Sequence, residues 1–398
     1  MTTFGFKEAE VADLVRAVST RHLNREQVEN RFARAMWSGI TEPGDGAAGI
    51  LVDQLGPARA LAALVEQAPA SSLATDELSV TQVQEGLDRW MPRLQPATML
   101  QWLRHAARYG ARLRTPDDDN WPSGFVGLGP HRPVALWTRG RDEALAALER
   151  SIALVGARAA TGYGEHMTME ASAGLVDRGF AIVSGAAYGI DGMAHRAALA
   201  SRGHTIAFLA GGVDRFYPSG HDALLTRIVE NGLVASELPC GSAPTRWRFL
   251  QRNRLIAASS LATVVMEAGW RSGSLNTAHH ALTAGRPVGA VPGPVTSAAS
   301  AGCHRLIREN RAELVTGPDD MAELAGGIVT DSEDRPRRDD TRVLDALSAR
   351  VPRHTDDIAA RAGLSVSETQ AELGRLQLEE VIRLGERGWV KRGSPRVP

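Results

Sequence analysis

Residues 151–185 read SIALVGARAATGYGEHMTMEASAGLVDRGFAIVSG, and the fold turns on them. Two uncharged runs, 151–155 and 180–183, bracket a segment near 162–177 that suits a helix. A strand buried on one face alternates apolar and polar residues, whereas a strand buried on both is continuously apolar. Ile152, Ala153, Leu154 and Val155 are of the second kind, as are Ala181, Ile182 and Val183. Both strands therefore belong to a sheet covered by helices on two sides, and a helical crossover between them makes the pair parallel.

The alternation continues downstream. Strands at 204–209, 233–235, 262–266, 287–291 and 313–315 follow, with a helix near 190–199 among the connections. The fold class is α/β, a doubly wound and mostly parallel sheet. Upstream, residues from about 6 to 108 carry helical periodicity. Leu14, Val15 and Val18 form one apolar stripe, and Ala60, Leu61, Leu64 and Val65 form another, with a turn-rich break at 40–49 between them. A proline-, glycine- and aspartate-rich connector at 115–133 leads into the short apolar run 134–137. Beyond the sheet, 326–341 is charged and poor in large apolar groups, the composition of a flexible linker. Thr355, Gly363 and Ser365 then punctuate two helices at helix-turn-helix spacing, and 381–384 with 388–390 make a small hairpin, so a winged helix is expected. The expected division is an N-terminal all-helical domain at 1–110, the sheet domain at 111–325, the linker at 326–341 and a winged-helix-like domain at 342–398.

The 398 residues are 43% hydrophobic and carry a formal net charge of −1, so any attraction for a polyanion must be local. Two cysteines, Cys240 and Cys303, supply neither a disulfide framework nor a paired metal motif. The first ten residues are interrupted by charges and no run has the length of a membrane span, which predicts a cytoplasmic protein without membrane contact.

Ligands of open parallel sheets bind beyond the carboxyl ends of the strands. Those ends carry Gly156 and Arg158, Ser184 and Gly185, Gly211 and Gly212, Ser236 and Glu237, Glu267 followed by Ser272, Gly273 and Ser274, and Pro292 with Gly293. Glycine lets backbone approach a ligand and free amides suit an anion, although tight strand-to-helix turns need glycine in any case. From Gly156, Arg158 and Thr161 fill the places where a dinucleotide fingerprint has its later glycines, and no Gly-Lys-Ser/Thr follows, so neither that fingerprint nor a P-loop is present. Between Glu237 and Glu267 there is no acid, but there are Arg246, Arg248, Arg252 and Arg254 interleaved with Trp247 and Phe249. Cations that track a backbone and aromatic faces that stack on bases are what an unpaired strand requires. The bland alternative is an amphipathic helix with Phe249 in the core and its arginines solvated. Asp191 and His195, one helical turn apart, suit a helix start and a packed ring better than a metal pair. No zinc motif, nucleophile elbow or carboxylate pair is visible.

Several motifs in order resemble the DNA-processing protein A family, also called DprA or Smf. They are Val183-Ser-Gly-Ala-Ala-Tyr-Gly-Ile-Asp191 with His195, Gly211-Gly-Val-Asp214 with Tyr217 and Pro218, Ser236-Glu237, Arg252-Asn-Arg254, Glu267 with Ser272-Gly-Ser274 and Thr277-Ala278, and Val291-Pro-Gly293. The resemblance runs over about 115–318. It implies an extended Rossmann-like fold that binds single-stranded DNA without catalysis or cofactor. It also implies a homodimer and loading of the RecA recombinase onto incoming strands in natural transformation. Family DNA contacts fall on Arg158, Arg246, Phe249, Arg252 and Arg254; Gly156, Ser184, Gly185, Gly212, Gly273 and Ser274 complete the candidate rim. Departures are Leu250 where proline is usual, His221 and His304 where asparagine is usual, and Asn310 where glycine is common. The acids Glu368, Glu372, Glu379 and Glu380 on and after the second winged-helix helix oppose phosphate contact and favour a protein-contact or accessory role. Two other readings stay open: a nucleotide-processing, phosphoribohydrolase-like enzyme with Glu267 as its acid, and a nucleotide-sensing adaptor.

Overall fold

The computed structural model describes residues 2–326, 338–349, 351–378, 381–385 and 387–392, in two compact units, Met1–Ile328 and Val329–Pro398. The first unit is built on a nine-stranded sheet. In spatial order the strands are Glu313–Leu314, Val288–Ala290, Ala262–Glu267, Ser151–Gly156, Ala181–Ser184, Thr205–Phe208, Leu233–Ser236, Leu136–Gly140 and Arg112–Arg114. The first seven run parallel; Leu136–Gly140 and Arg112–Arg114 add antiparallel pairs at one edge. The continuous apolar runs are buried as their composition requires. Ile152 and Leu154 pack into one core with Leu175, Ile190 and Ala194, while Ala153 and Val155 pack into another with Phe208, Ile256 and Ala278. Successive side chains thus enter opposite cores, which is double winding expressed at single residues.

A third core joins the other end of the sheet to the N-terminal helices. Ala207, Val234 and Trp137 share it with Phe32, Met36, Trp37 and Leu64. Trp137 Nε1 donates to Ser38 Oγ at 3.0 Å, and Arg34 donates to the Val134 carbonyl at 3.0 Å. Buried Arg31 donates to the Leu113 carbonyl and pairs with Asp118. The helices of residues 8–108 therefore pack as part of the first unit. Of the two predicted stripes, Val15, Val18, Ala60, Leu61 and Leu64 are fully buried, but Leu14 is half-buried, and Val65, the last residue of the helix Pro57–Val65, is 39% exposed.

In the second unit, Arg338–Ala346, Thr355–Ala362 and Val366–Leu378 are helices, and Ile382–Gly385 pairs with Gly388–Lys391 as an antiparallel hairpin. This is a winged helix with a core of Val343, Leu347, Ile358, Leu373, Leu376 and Ile382. Gly363 closes the second helix in the left-handed region, φ 65°, a conformation open to glycine at low cost. Ser365 and Glu368 cap the third reciprocally. Of the predicted linker 326–341, residues 327–337 lie outside the described residues, and the helix Arg338–Ala346 begins within its last part. Glu379 and Glu380 also lie outside them.

His195 carries a pH dependence in this core. Its ring is fully buried, with Nδ1 2.7 Å from Thr205 Oγ1, and burial pulls its pKa down to about 3, helped by His221, Arg252 and Arg196. The unfolded chain therefore takes up a proton near pH 6.5 that the folded chain refuses until about pH 3. Stability from this ring is present above pH 6.5 and is lost as pH falls toward 3. The pH profile of urea unfolding should slope down through that window, and His195→Asn should flatten it; parallel profiles would contradict a buried neutral ring.

Candidate nucleic-acid interface

Beyond the carboxyl ends of Ser151–Gly156 and Ala262–Glu267 lies a cleft of about 540 Å³. Gly156, Arg158, Phe249, Arg252, Gly273 and Ser274 line it. Each is placed by a traceable local cause. The loop carrying Arg158 is fixed at both ends by the neighbouring strand: Ala157 N donates to the Glu267 carbonyl at 2.7 Å, and Thr161 N and Oγ1 donate to the Glu267 carboxylate at 2.8 and 2.6 Å. Thr161 also caps the helix Gly162–Asp177. Gly189, at φ 73°, lets the chain turn against the backbone carbonyls of Ala157 and Arg158, where a side chain would collide.

Phe249 and Arg252 stand on the helix Arg246–Ser259, capped by Thr245. Three residues apart, they share a face, and the Arg252 guanidinium lies 5.6 Å from the Phe249 ring centroid. Arg158 comes to 5.3 Å from the same ring across the cleft, and Tyr217 packs on it at 5.4 Å. Arg252 is buried, donating at 2.6 Å to each of the Gly185 and Phe208 carbonyls. Burial pulls its pKa down to about 10 against the pull of Asp191, so it stays charged at neutral pH. Among the described residues Asp191 is the one acid lining the cleft, and it accepts from the Gly185 and Ala187 amides at 3.2 and 3.3 Å. Burial raises its pKa, opposed first by Arg252. Arg158 is exposed and has no ion-pair partner among the described residues. Arg252 is compensated by Asp191 and by two carbonyls, so the exposed Arg158 guanidinium beside the Phe249 ring is the cation that leaves the cleft open to an anion.

The other predicted residues lie elsewhere. Ser184 is buried and donates to the Leu154 carbonyl at 2.6 Å. Gly185 lies under Arg252, where a side chain would overlap the guanidinium. Gly212 is buried in a turn against Asp214 and Pro239. Arg246 is exposed at the first turn of its helix, off the cleft wall. Arg254 is a correction to the direct-contact expectation: it is 3% exposed and its Nη2 donates to both Glu237 oxygens at 2.8 and 2.7 Å, so it braces the helix from below. Arg248 likewise pairs with Glu42 at 2.7 Å. The acid-free window thus overstates the free charge, because its neutralising acids come from outside it. Glu267, the acid of the enzyme reading, is 2% exposed and engaged by Thr161. Among the described residues no cluster of His, Cys, Asp and Glu could hold a metal ion, and no single helix is long and apolar enough to cross a membrane.

Sequence reasoning missed Trp270, Arg271 and Asn253, which also line the cleft. Trp270-Arg271 repeats the aromatic–arginine alternation of 246–249 immediately before Ser272-Gly-Ser274, and that signal was there to read. The family departures are accommodated. His221 Nδ1 donates to the Ala186 carbonyl at 3.0 Å, and His304 Nε2 donates to the Gly293 carbonyl at 3.0 Å. Asn310 takes φ 52°, a conformation asparagine tolerates better than most residues.

Known proteins resemble this chain over both of its units. Residues 112–326 match the family model described as DNA recombination-mediator protein A, and 330–384 match the DprA winged helix domain. A putative DNA processing protein DprA of Mycobacterium tuberculosis is 49% identical over 298 residues, covering 70% of this chain and 76% of the relative. Protein Smf of Escherichia coli is 35% identical over 326 residues, 79% of this chain and 85% of the relative. The X-ray structure of DNA processing protein A from Streptococcus pneumoniae superposes with TM-score 0.60 and 30% identity, covering 74% of this chain and 97% of that one. A family model spanning over half of the chain and relatives at these identities leave one conclusion: the chain belongs to the DNA recombination-mediator protein A (DprA/Smf) family.

Proposed function

We propose that this chain binds single-stranded DNA in the cleft at the strand ends, shields it, and hands it to the RecA recombinase in natural transformation or recombination. The observation that carries the reading is the Phe249 ring with Arg158 and Arg252 both against it. A base stacks on such a ring whatever its identity, the exposed Arg158 guanidinium meets the phosphate beside it, and buried Arg252 holds the ring and the cleft floor in place. Arg246, exposed and without an ion pair among the described residues, extends the cationic track along the helix. The protein acts as a homodimer in the cytoplasm, and the winged helix serves protein contact: Glu372 is paired with Arg375 at 2.5 Å, which leaves that helix poor in free cations. No chemistry is required of it. Family membership and the engagement of Glu267 by Thr161 both speak against a phosphoribohydrolase-like reaction.

Arg158→Ala and Arg246→Ala should each weaken binding of oligo-dT and reduce the slope of log affinity against log salt by about 0.7, one phosphate contact each. Phe249→Ala should cost about 1–3 kcal/mol with the slope unchanged. Fluorescence anisotropy reads all three; affinities unaltered in every variant would sink the assignment.

A further inference from the structure

We propose that Trp270 is a second base-stacking platform, carried on a different element of the cleft from the arginine helix, so that the cleft grips two bases and not one. The inference rests on the single-stranded DNA reading above. Trp270 follows the strand Ala262–Glu267 in a short loop, whereas Phe249 belongs to the helix Arg246–Ser259; both line the cleft. The indole is 53% exposed. A large exposed aromatic is unremarkable by itself, but this one is held for use. Arg305, on the helix Ala301–Arg308, lies 4.8 Å from its ring centroid. The same helix fastens the loop through Gly302 N, which donates to the Ala268 carbonyl at 2.7 Å. Past the indole, Ser272 N donates to the Gly269 carbonyl at 3.1 Å, and Ser272 and Ser274 exchange a hydrogen bond at 2.8 Å.

An arginine on one face of an indole withdraws it from free rotation and leaves the other face for a flat partner. Arg271, the next residue, is exposed, lines the same cleft, and has no ion-pair partner among the described residues. An aromatic face beside a free guanidinium resembles the Phe249–Arg158 pairing, on a different element of the same cleft. A nucleobase stacked on Trp270 with its phosphate toward Arg271 satisfies both groups, and stacking of this kind tolerates any base.

The test compares wild type, Trp270→Ala and Trp270→Phe by anisotropy, on oligo-dT and on a strand of equal length with abasic residues through its centre. On oligo-dT, Trp270→Ala should lose about fivefold to a hundredfold in affinity with its salt slope unchanged, and Trp270→Phe should keep most of it. On the abasic strand, Trp270→Ala and wild type should bind alike. Full affinity of Trp270→Ala for oligo-dT, while Phe249→Ala is weakened, would overturn the second platform alone. Equal losses on both strands would also overturn it, by reducing Trp270 to a structural support. Failure of the wild type to bind either strand would instead overturn the DNA reading beneath it.

Discussion

Glu237→Ala should destabilise the first unit by about 3–5 kcal/mol, measured as the shift of its urea-unfolding midpoint at neutral pH. The Arg254 and Glu237 side chains are 3% and 10% exposed, and Arg254 Nη2 donates to both carboxylate oxygens. Burial pushes the Glu237 carboxyl up from its ordinary value and Arg254 pulls it back. Truncating Glu237 leaves a guanidinium buried without its counter-charge, the costly half of any buried pair. The effect reaches function because Arg254 stands on the helix that carries Phe249 and Arg252, and Glu237 also accepts from Gly44 N at 3.4 Å, tying helix, strand end and N-terminal segment together. DNA affinity should therefore fall along with stability. Replacing both residues by leucine and methionine should cost less than either truncation, because no lone charge is then left behind. A shift below about 1 kcal/mol for Glu237→Ala, the range of surface pairs, would contradict a buried brace.

Gly185→Ala should cost about 2–5 kcal/mol and weaken single-stranded DNA binding at the same time. A Cβ at this position overlaps the Arg252 guanidinium. The side chain of Arg252 is long, but its end is not free to swing, since it donates to two buried carbonyls and neighbours Asp191. Displacing it adds an overpacking cost of about 1–3 kcal/mol to a comparable cost for buried groups left without partners. Thermal unfolding and anisotropy on the same preparation check the two halves. Loss of stability with unchanged affinity would remove Arg252 from the binding surface and leave it a purely structural residue.

These two sites mark where sequence reasoning carries and where it stops. Strands such as Ser151–Gly156 and Ala262–Glu267 were legible because burial on both faces writes a continuous apolar run. The helix Gly162–Asp177 was legible from the strands around it, and Gly363 and Ser365 announced the winged helix by turn and cap chemistry. The glycine-rich strand ends and the 246–254 window both pointed to elements that line the cleft. Charge partners were not legible. Arg248 meets Glu42 across 206 residues and Arg254 meets Glu237 across 17, so counting acids within a window misjudged which arginines are free. The role of Glu267 was also hidden, since its carboxylate is taken up by Thr161 at a sequence distance of 106. Gly156 and Gly185 read as ligand-facing glycines, yet what they make room for is protein: Ile190 and Glu267 backbone in one case, Arg252 in the other.

The most direct test of the central claim is an anisotropy titration of the wild-type chain with oligo-dT of increasing length, from a mononucleotide upward, at two salt concentrations. A cleft that grips a strand by stacking and phosphate contacts should bind the mononucleotide weakly, gain affinity with each added nucleotide until the cleft is filled, and lose affinity as salt rises. Duplex of the same length should bind more weakly throughout. Affinity for the mononucleotide equal to that for the longest strand, with no response to salt, would contradict a DNA-binding groove and leave a nucleotide pocket in its place.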